Sequence, residues 1–230
     1  NCFTCHQDEK GRIVGARDVP SAPCAPVRNE AVTTNAICAP CHNQHFTMDQ
    51  WEESPAKARG EDCSHCHMPV VTRRLADGTT GEGRSHITRG GHHPAYVRSA
   101  VSLEAAWREG RLHLAVTNVF GGHNFPTDSR HKASDLLVRY LEEGRWGEWR
   151  RVARFRNPYR EEPGPNTQIP AGKRVEFTER PPAAAIEAEV RLDFRAMPFV
   201  PDAGAVEWHE EEYLTTRRAV VLHRKKIALQ

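Results

Sequence analysis

Six of the seven cysteines in this chain stand in pairs with two residues between them, and each pair is followed at once by a histidine. The segments are Cys2-Phe-Thr-Cys5-His6, Cys38-Ala-Pro-Cys41-His42 and Cys63-Ser-His-Cys66-His67. C-x-x-C-H is the attachment signature of c-type haem. Two thiols add across the porphyrin's two vinyl groups, and the next side chain lies under the iron as its proximal ligand. Other uses of the cysteines explain less. Two C-x-x-C pairs can build a tetrahedral zinc site and one pair can be a redox dithiol, but neither requires a histidine after every pair. With 13 histidines in 230 residues, three such coincidences arise at roughly two in ten thousand. Disulfides within the pairs would close strained small loops. Three covalently bound haem c groups are therefore expected, held by Cys2 and Cys5, Cys38 and Cys41, and Cys63 and Cys66, over proximal His6, His42 and His67.

This expectation governs how the composition is read. The apolar fraction is 38%, charged residues make 27%, and Gly and Pro number 16 each, a thin supply of core-forming side chains with many turns. Residues 1–98 hold all three motifs and little periodicity, so the haems themselves are expected to be their hydrophobic core. The formal charge of +2 falls to about −1 once three ferric haems with ionised propionates are added. Nucleic acid is therefore not an expected partner; the arginines are expected on propionates and carboxylates. No apolar stretch approaches the roughly 20 residues of a membrane span. The chain begins Asn1-Cys2, inside a motif, so an export signal is expected to have been removed or to be missing. Attachment of c-type haem takes place outside the cytoplasm, which implies a periplasmic, cell-surface or extracellular location.

Ten histidines remain after the proximal three, and bis-histidine ligation is expected throughout. His123 stands in Gly121-Gly122-His123-Asn124-Phe125-Pro126-Thr127, where glycines and a proline fix a tight turn. It reads either as a rigidly held ligand or as a turn histidine bonded to backbone. His86, His92 and His93 lie in the glycine-rich stretch Gly81 to Pro94, which can approach a porphyrin closely. Either His92 or His93 is a ligand candidate, but not both. His45, three residues past His42, is within reach of a neighbouring haem. His65 reads as solvent-facing, His113 as a sheet residue, and His131, His209 and His223 as surface residues. Met48, Met68 and Met197 are weaker candidates for ligation. The second and third motifs lie 25 residues apart, which places their haems near each other.

Within the first half, Thr47-Met48-Asp49-Gln50 reads as a capping box opening a helix through Glu52, and 94–100 as a helical turn; the rest reads as loop. From residue 99 the pattern changes to period two. Strands are expected over 101–107, 112–116, 136–141, 149–155, 174–178, 186–194 and 214–222, with a long loop around Pro158, Pro163, Pro165 and Pro170. The expected fold is a haem-cored, mostly irregular N-terminal segment (1–98) followed by an all-β, sandwich-like domain (99–230). That domain is expected to supply His123 to a haem of the first segment.

The chain also resembles a group of bacterial and archaeal multihaem cytochromes related to cytochrome c554. The resemblance is carried by Cys63-Ser-His-Cys66-His67-Met68-Pro69, by Trp51-Glu-Glu-Ser54-Pro55 and by Asn118 to Thr127, which reads N-x-x-G-G-H-x-x-P-T and is similar to the group's N-x-x-G-x-G-H-x-x-P-T segment. It covers roughly residues 35–145 well. It implies a β-rich C-terminal domain and His86 and His123 as distal ligands. One departure stands out: the group often has a histidine between the first and second motifs, and this chain has Cys24 there instead. Cys24 reads as an unpaired thiol, an intermolecular disulfide or an iron thiolate. The missing distal ligand is then left to His45, to His92 or His93, or to another subunit.

The expected function is electron transfer, with other redox proteins or further copies of the chain as partners, including a homopolymeric extracellular filament. The competing expectation is a redox enzyme acting on a small nitrogen or sulfur compound at an open haem iron, which needs a vacant position and nearby acid–base groups. No such constellation is evident in the sequence.

Overall fold

The computed structural model describes residues 1–127, 132–158, 164–195 and 219–229. His131, His209, Met197 and the first part of the strand expected over 214–222 lie outside the described residues.

Each motif forms one short helix: α1 (Phe3–His6), α2 (Ala39–His42) and α5 (Cys63–His67). One turn is enough, because it sets the two thiols and the following imidazole on neighbouring faces. Asp62 opens α5 by accepting from the backbone N–H of His65 at 2.7 Å. Asn35, buried, accepts from the N–H of Cys63 at 2.8 Å and so ties the approach to the second motif onto the start of the third. Strands β1 (Val14–Gly15) and β2 (Val27–Arg28) pair in parallel between the first two motifs.

The helix α3 (Thr47–Glu52) forms as expected, but not by the expected cap. Phe46, in the left-handed region at φ 63°, occupies the N-cap position and makes no side-chain cap. Thr47 and Gln50 spend their side chains on the segment around Thr127 instead. A capping box saturates backbone donors locally; here a tertiary partner competes for the same side chains. The next helix, α4 (Pro55–Ala58), has Ser54 as its cap.

A hairpin of β3 (Val70–Arg74) and β4 (Thr80–Arg84) follows the third motif, where the sequence reads as loop. Asp77-Gly78 makes its turn, with Gly78 at φ 84°. All five residues of β3 are exposed, so the hairpin has no buried face and leaves no alternation to read. The expected turn at 94–100 is α6 (Pro94–Ala100).

The remaining strands form two sheets. β5 (Val101–Arg108), β6 (Arg111–Asn118) and β10 (Arg174–Glu179) make an antiparallel sheet with β6 central. The second contains β7 (Ala133–Glu142), β8 (Arg145–Trp146), β9 (Arg150–Phe155), β11 (Ala185–Arg195) and β12 (Ala219–Ala228). Leu103, Leu112, Leu114 and Val116 from the first sheet join Leu136, Val138, Val190, Leu192, Phe194 and Leu222 from the second in one buried cluster. Alternation along each strand puts these residues on the facing sides.

The other face of the second sheet is also buried, but it is ionic. Asp135 and Glu189 have no exposed side-chain surface. Arg154 contacts Asp135 at 2.7 Å and Arg195 contacts it at 3.0 Å, while Arg139 and Arg224 both reach Glu189. Burial pushes the Asp193 carboxyl upward despite Arg191 at 2.8 Å. The Trp149 ring lies 4.6 Å from the Arg139 guanidinium and 4.4 Å from that of Arg191. The arginines thus do pair with carboxylates, in a layer across the strands.

Candidate metal centres

The structure brings two histidine pairs close together. His6 of the first motif lies beside His86, ring centres 5.9 Å apart and planes tilted by 40°. His67 of the third motif lies opposite His123, ring centres 6.0 Å apart and planes within 15° of parallel. A metal ligated on both sides needs two metal–nitrogen bonds of about 2 Å plus the distance from each nitrogen to its ring centre, roughly 6 Å in all. Such separations also occur in ordinary aromatic pairs, and the hydrogen bonds supply a second criterion.

His6 Nδ1 is 2.8 Å from the carbonyl of Val14, His123 Nδ1 is 3.0 Å from that of Asn124, and His67 Nδ1 bonds the carbonyl of Arg89. A carbonyl only accepts, so in each case Nδ1 carries the proton. Nε2 then keeps its lone pair for a metal, the arrangement that orients imidazole ligands and fixes their tautomer. Two other histidines have the opposite chemistry. His223, half-buried rather than at the surface, donates through Nε2 to the carbonyl of Val101 at 2.8 Å. His93 Nδ1 accepts from the N–H of Tyr96 at 3.2 Å and caps α6, which leaves the proton of its neutral ring on Nε2.

The other candidates are less organised. His42 is exposed and, among the described residues, has no ring partner. His45 is half-buried, with its Nδ1 buried and without a hydrogen-bond partner. His92 and His65 are exposed, and His113 lies on β6, half-buried. Cys24 is an exposed free thiol. Among the described residues no three His, Cys, Asp or Glu side chains converge on one point as a metal cluster; the histidines face each other in twos.

The second and third motifs touch. The free Cys38 thiol is held down at about 7 by a hydrogen bond from Cys63, and the same contact, with burial, pushes Cys63 well up. The third motif also reaches toward the first: the stretch from His86, opposite His6, to Arg89, bonded to His67, is four residues long. Tyr96 closes one side of the His67 ring, with ring centres 5.7 Å apart and its hydroxyl donating to the carbonyl of Cys66 at 2.9 Å. Burial pushes that hydroxyl up to about 12.

His123 is placed by close backbone packing. Gly121, at φ 63°, brings its carbonyl to the N–H of Ala56 at 3.2 Å, and a Cβ there would meet the backbone of Gly172 at 3.4 Å. The Phe125–Pro126 peptide beyond it is cis. The carbonyls of Val14 and Arg89, together with Gln50, were not legible as site groups; backbone acceptors carry no side-chain signal.

The donor set fits haem c: paired thiols beside an imidazole in all three motifs, with that imidazole's proton fixed away from the metal and a second imidazole opposite in two of the three. Among the described residues no helix is long and apolar enough to cross a membrane. No protein-family model matches the chain, and no curated protein matches it. Among solved structures, it is similar to the penta-haem cytochrome c552 from Thermochromatium tepidum, at 17% identity and a TM-score of 0.72, over 99% of this chain and 76% of that one. At this identity the likeness is one of fold, and this chain shares that cytochrome's fold.

Proposed function

We propose that this chain is an extracytoplasmic electron carrier with three covalently bound haem c groups. Cys2 and Cys5, Cys38 and Cys41, and Cys63 and Cys66 hold them, with His6, His42 and His67 as proximal ligands. His86 is the distal ligand of the first haem and His123 of the third. The observation that carries this reading is the two pairs of imidazoles near 6 Å, three of whose four rings have Nδ1 fixed on a backbone carbonyl. The fold shared with a penta-haem cytochrome supports the multihaem part.

When bound, haem supplies a one-electron Fe(III)/Fe(II) couple. The chain's residues hold it, exclude exchangeable ligands at two irons and keep the groups close together. Contact between Cys38 and Cys63 would hold the haems of the second and third motifs near each other, which would shorten the path for an electron. Partners are other redox proteins or copies of the chain.

The lone His42 supports a second reading at the second haem. Its distal ligand is His45, His92 or a residue of another copy, the last giving a haem filament, while His93 is spent on capping α6; without one, the iron is an open site for small-molecule chemistry. Haem content by mass and electron paramagnetic resonance of the ferric protein test both readings. Three haems per chain with only low-spin signals support the carrier. A high-spin third of the iron that binds cyanide, at any protein concentration, supports the open site, and a chain without haem ends both.

A further inference from the structure

The polar groups of a single peptide bond, that between His123 and Asn124, are held by two amide side chains from different parts of the fold. Asn118, at the end of β6 and only 3% exposed, donates through Nδ2 to the carbonyl of His123 at 2.7 Å. The same nitrogen faces the carbonyls of Ile169 at 3.2 Å and Pro170 at 3.4 Å, while Oδ1 accepts from the N–H of Gly121 at 3.4 Å. Three acceptors on one side and a donor on the other permit only this orientation of the amide. From the opposite side, Gln50 of α3 accepts through Oε1 from the N–H of Asn124 at 3.2 Å and from the Thr127 hydroxyl at 2.8 Å. Thr127 in turn lies 3.2 Å from the Thr47 hydroxyl.

The imidazole is referenced to the adjoining peptide, because His123 Nδ1 bonds the carbonyl of Asn124. The clamped peptide joins the residue that bears the ring to the residue that accepts from it, so a shift of the 123–124 peptide moves both ends of that bond. We infer that Gln50 and Asn118 form a two-amide clamp on the His123–Asn124 peptide and act as positioning residues that set the angle of the His123 imidazole opposite His67. The inference rests on the haem reading above and goes beyond it. Groups behind an axial ligand tune the metal through ligand orientation and basicity, so the clamp governs the spectrum and potential of one haem out of three. It also links sites: Gln50 sits on the helix that follows the second motif, yet steadies the ligand of the third.

The test uses the full haem-loaded chain with Gln50→Leu, Gln50→Glu and Asn118→Asp. Leucine removes the acceptor, glutamate keeps one, and aspartate turns a donor toward three carbonyls into a carboxylate. The readouts are the ferric low-spin resonance spectrum and a stepwise redox titration. Gln50→Leu and Asn118→Asp are expected to displace the signal and potential of one haem and leave the other two, and Gln50→Glu to restore the parent spectrum. Gln50 is only half-buried, so Gln50→Leu carries the test if Asn118→Asp does not fold. Unchanged spectra in Gln50→Leu with three haems bound, or an equal shift of all three signals, overturn the clamp alone. A parent protein without haem overturns the function reading and takes the clamp with it.

Discussion

Residues 1–98 and the strands from Val101 onward are stabilised by different means. In the first stretch the buried hydrophobic side chains are Val14, Ala22, Ala56 and Val97, too little apolar surface to offset the entropy of ordering nearly a hundred residues. The strands bury a continuous two-sheet cluster on one face and a charged layer on the other. The comparison teaches that the strands carry a side-chain core while residues 1–98 have almost none; on the proposed function, porphyrin would take its place there. His123 joins them: its turn belongs to the scaffold, its ring to the His67 site.

The largest effect that could break this contrast is loss of haem. With all six motif cysteines changed to alanine, residues 1–98 should lose amide-exchange protection while β7 and β11 keep theirs. Equal protection in both regions would sink the idea that haem is the first region's core.

A smaller effect belongs to the scaffold alone. Asp135→Asn leaves Arg154 and Arg195 around a neutral group in a buried layer. Breaking a buried ion pair of this kind costs about 3–5 kcal/mol. Denaturant unfolding should record that loss, with the haem spectrum of the folded protein unchanged.

The smallest effect sharpens the contrast through pH. Burial alone would raise the Glu189 carboxyl, but hydrogen bonds from Arg224 and Arg139 hold it below its usual 4.5. A depressed carboxylate adds stability that is complete above the unfolded value and lost as pH falls through the folded one. Stability should therefore decline as pH drops below 4.5, and Glu189→Gln should flatten the decline. An unaltered acid profile in that variant would remove Glu189 as a cause.

The β region was largely legible. Alternation located β5, β6, β7, β9, β10 and β11 to within a few residues of the observed bounds, because a strand with one face in the core must repeat every two residues. The charged face was not, since Asp135, Glu189 and Asp193 look like solvent residues until the layer opposite them is known. The exposed β3–β4 hairpin was missed because no burial shaped its pattern. The capping box at Thr47 was misread because its local logic is sound but a distant partner, Thr127, takes the same side chains.

What the sequence by itself determined is covalent and local: paired thiols with two residues between them and an imidazole next to them, three times over, since spacing along a chain survives any folding. Which histidine stands opposite which could not be read that way. His86 facing His6 and His123 facing His67 are contacts between segments far apart in the chain, and a ring's proton is fixed by a carbonyl that folding brings to it. Only the tertiary structure decided those, because facing geometry and tautomer are set by through-space neighbours rather than by spacing.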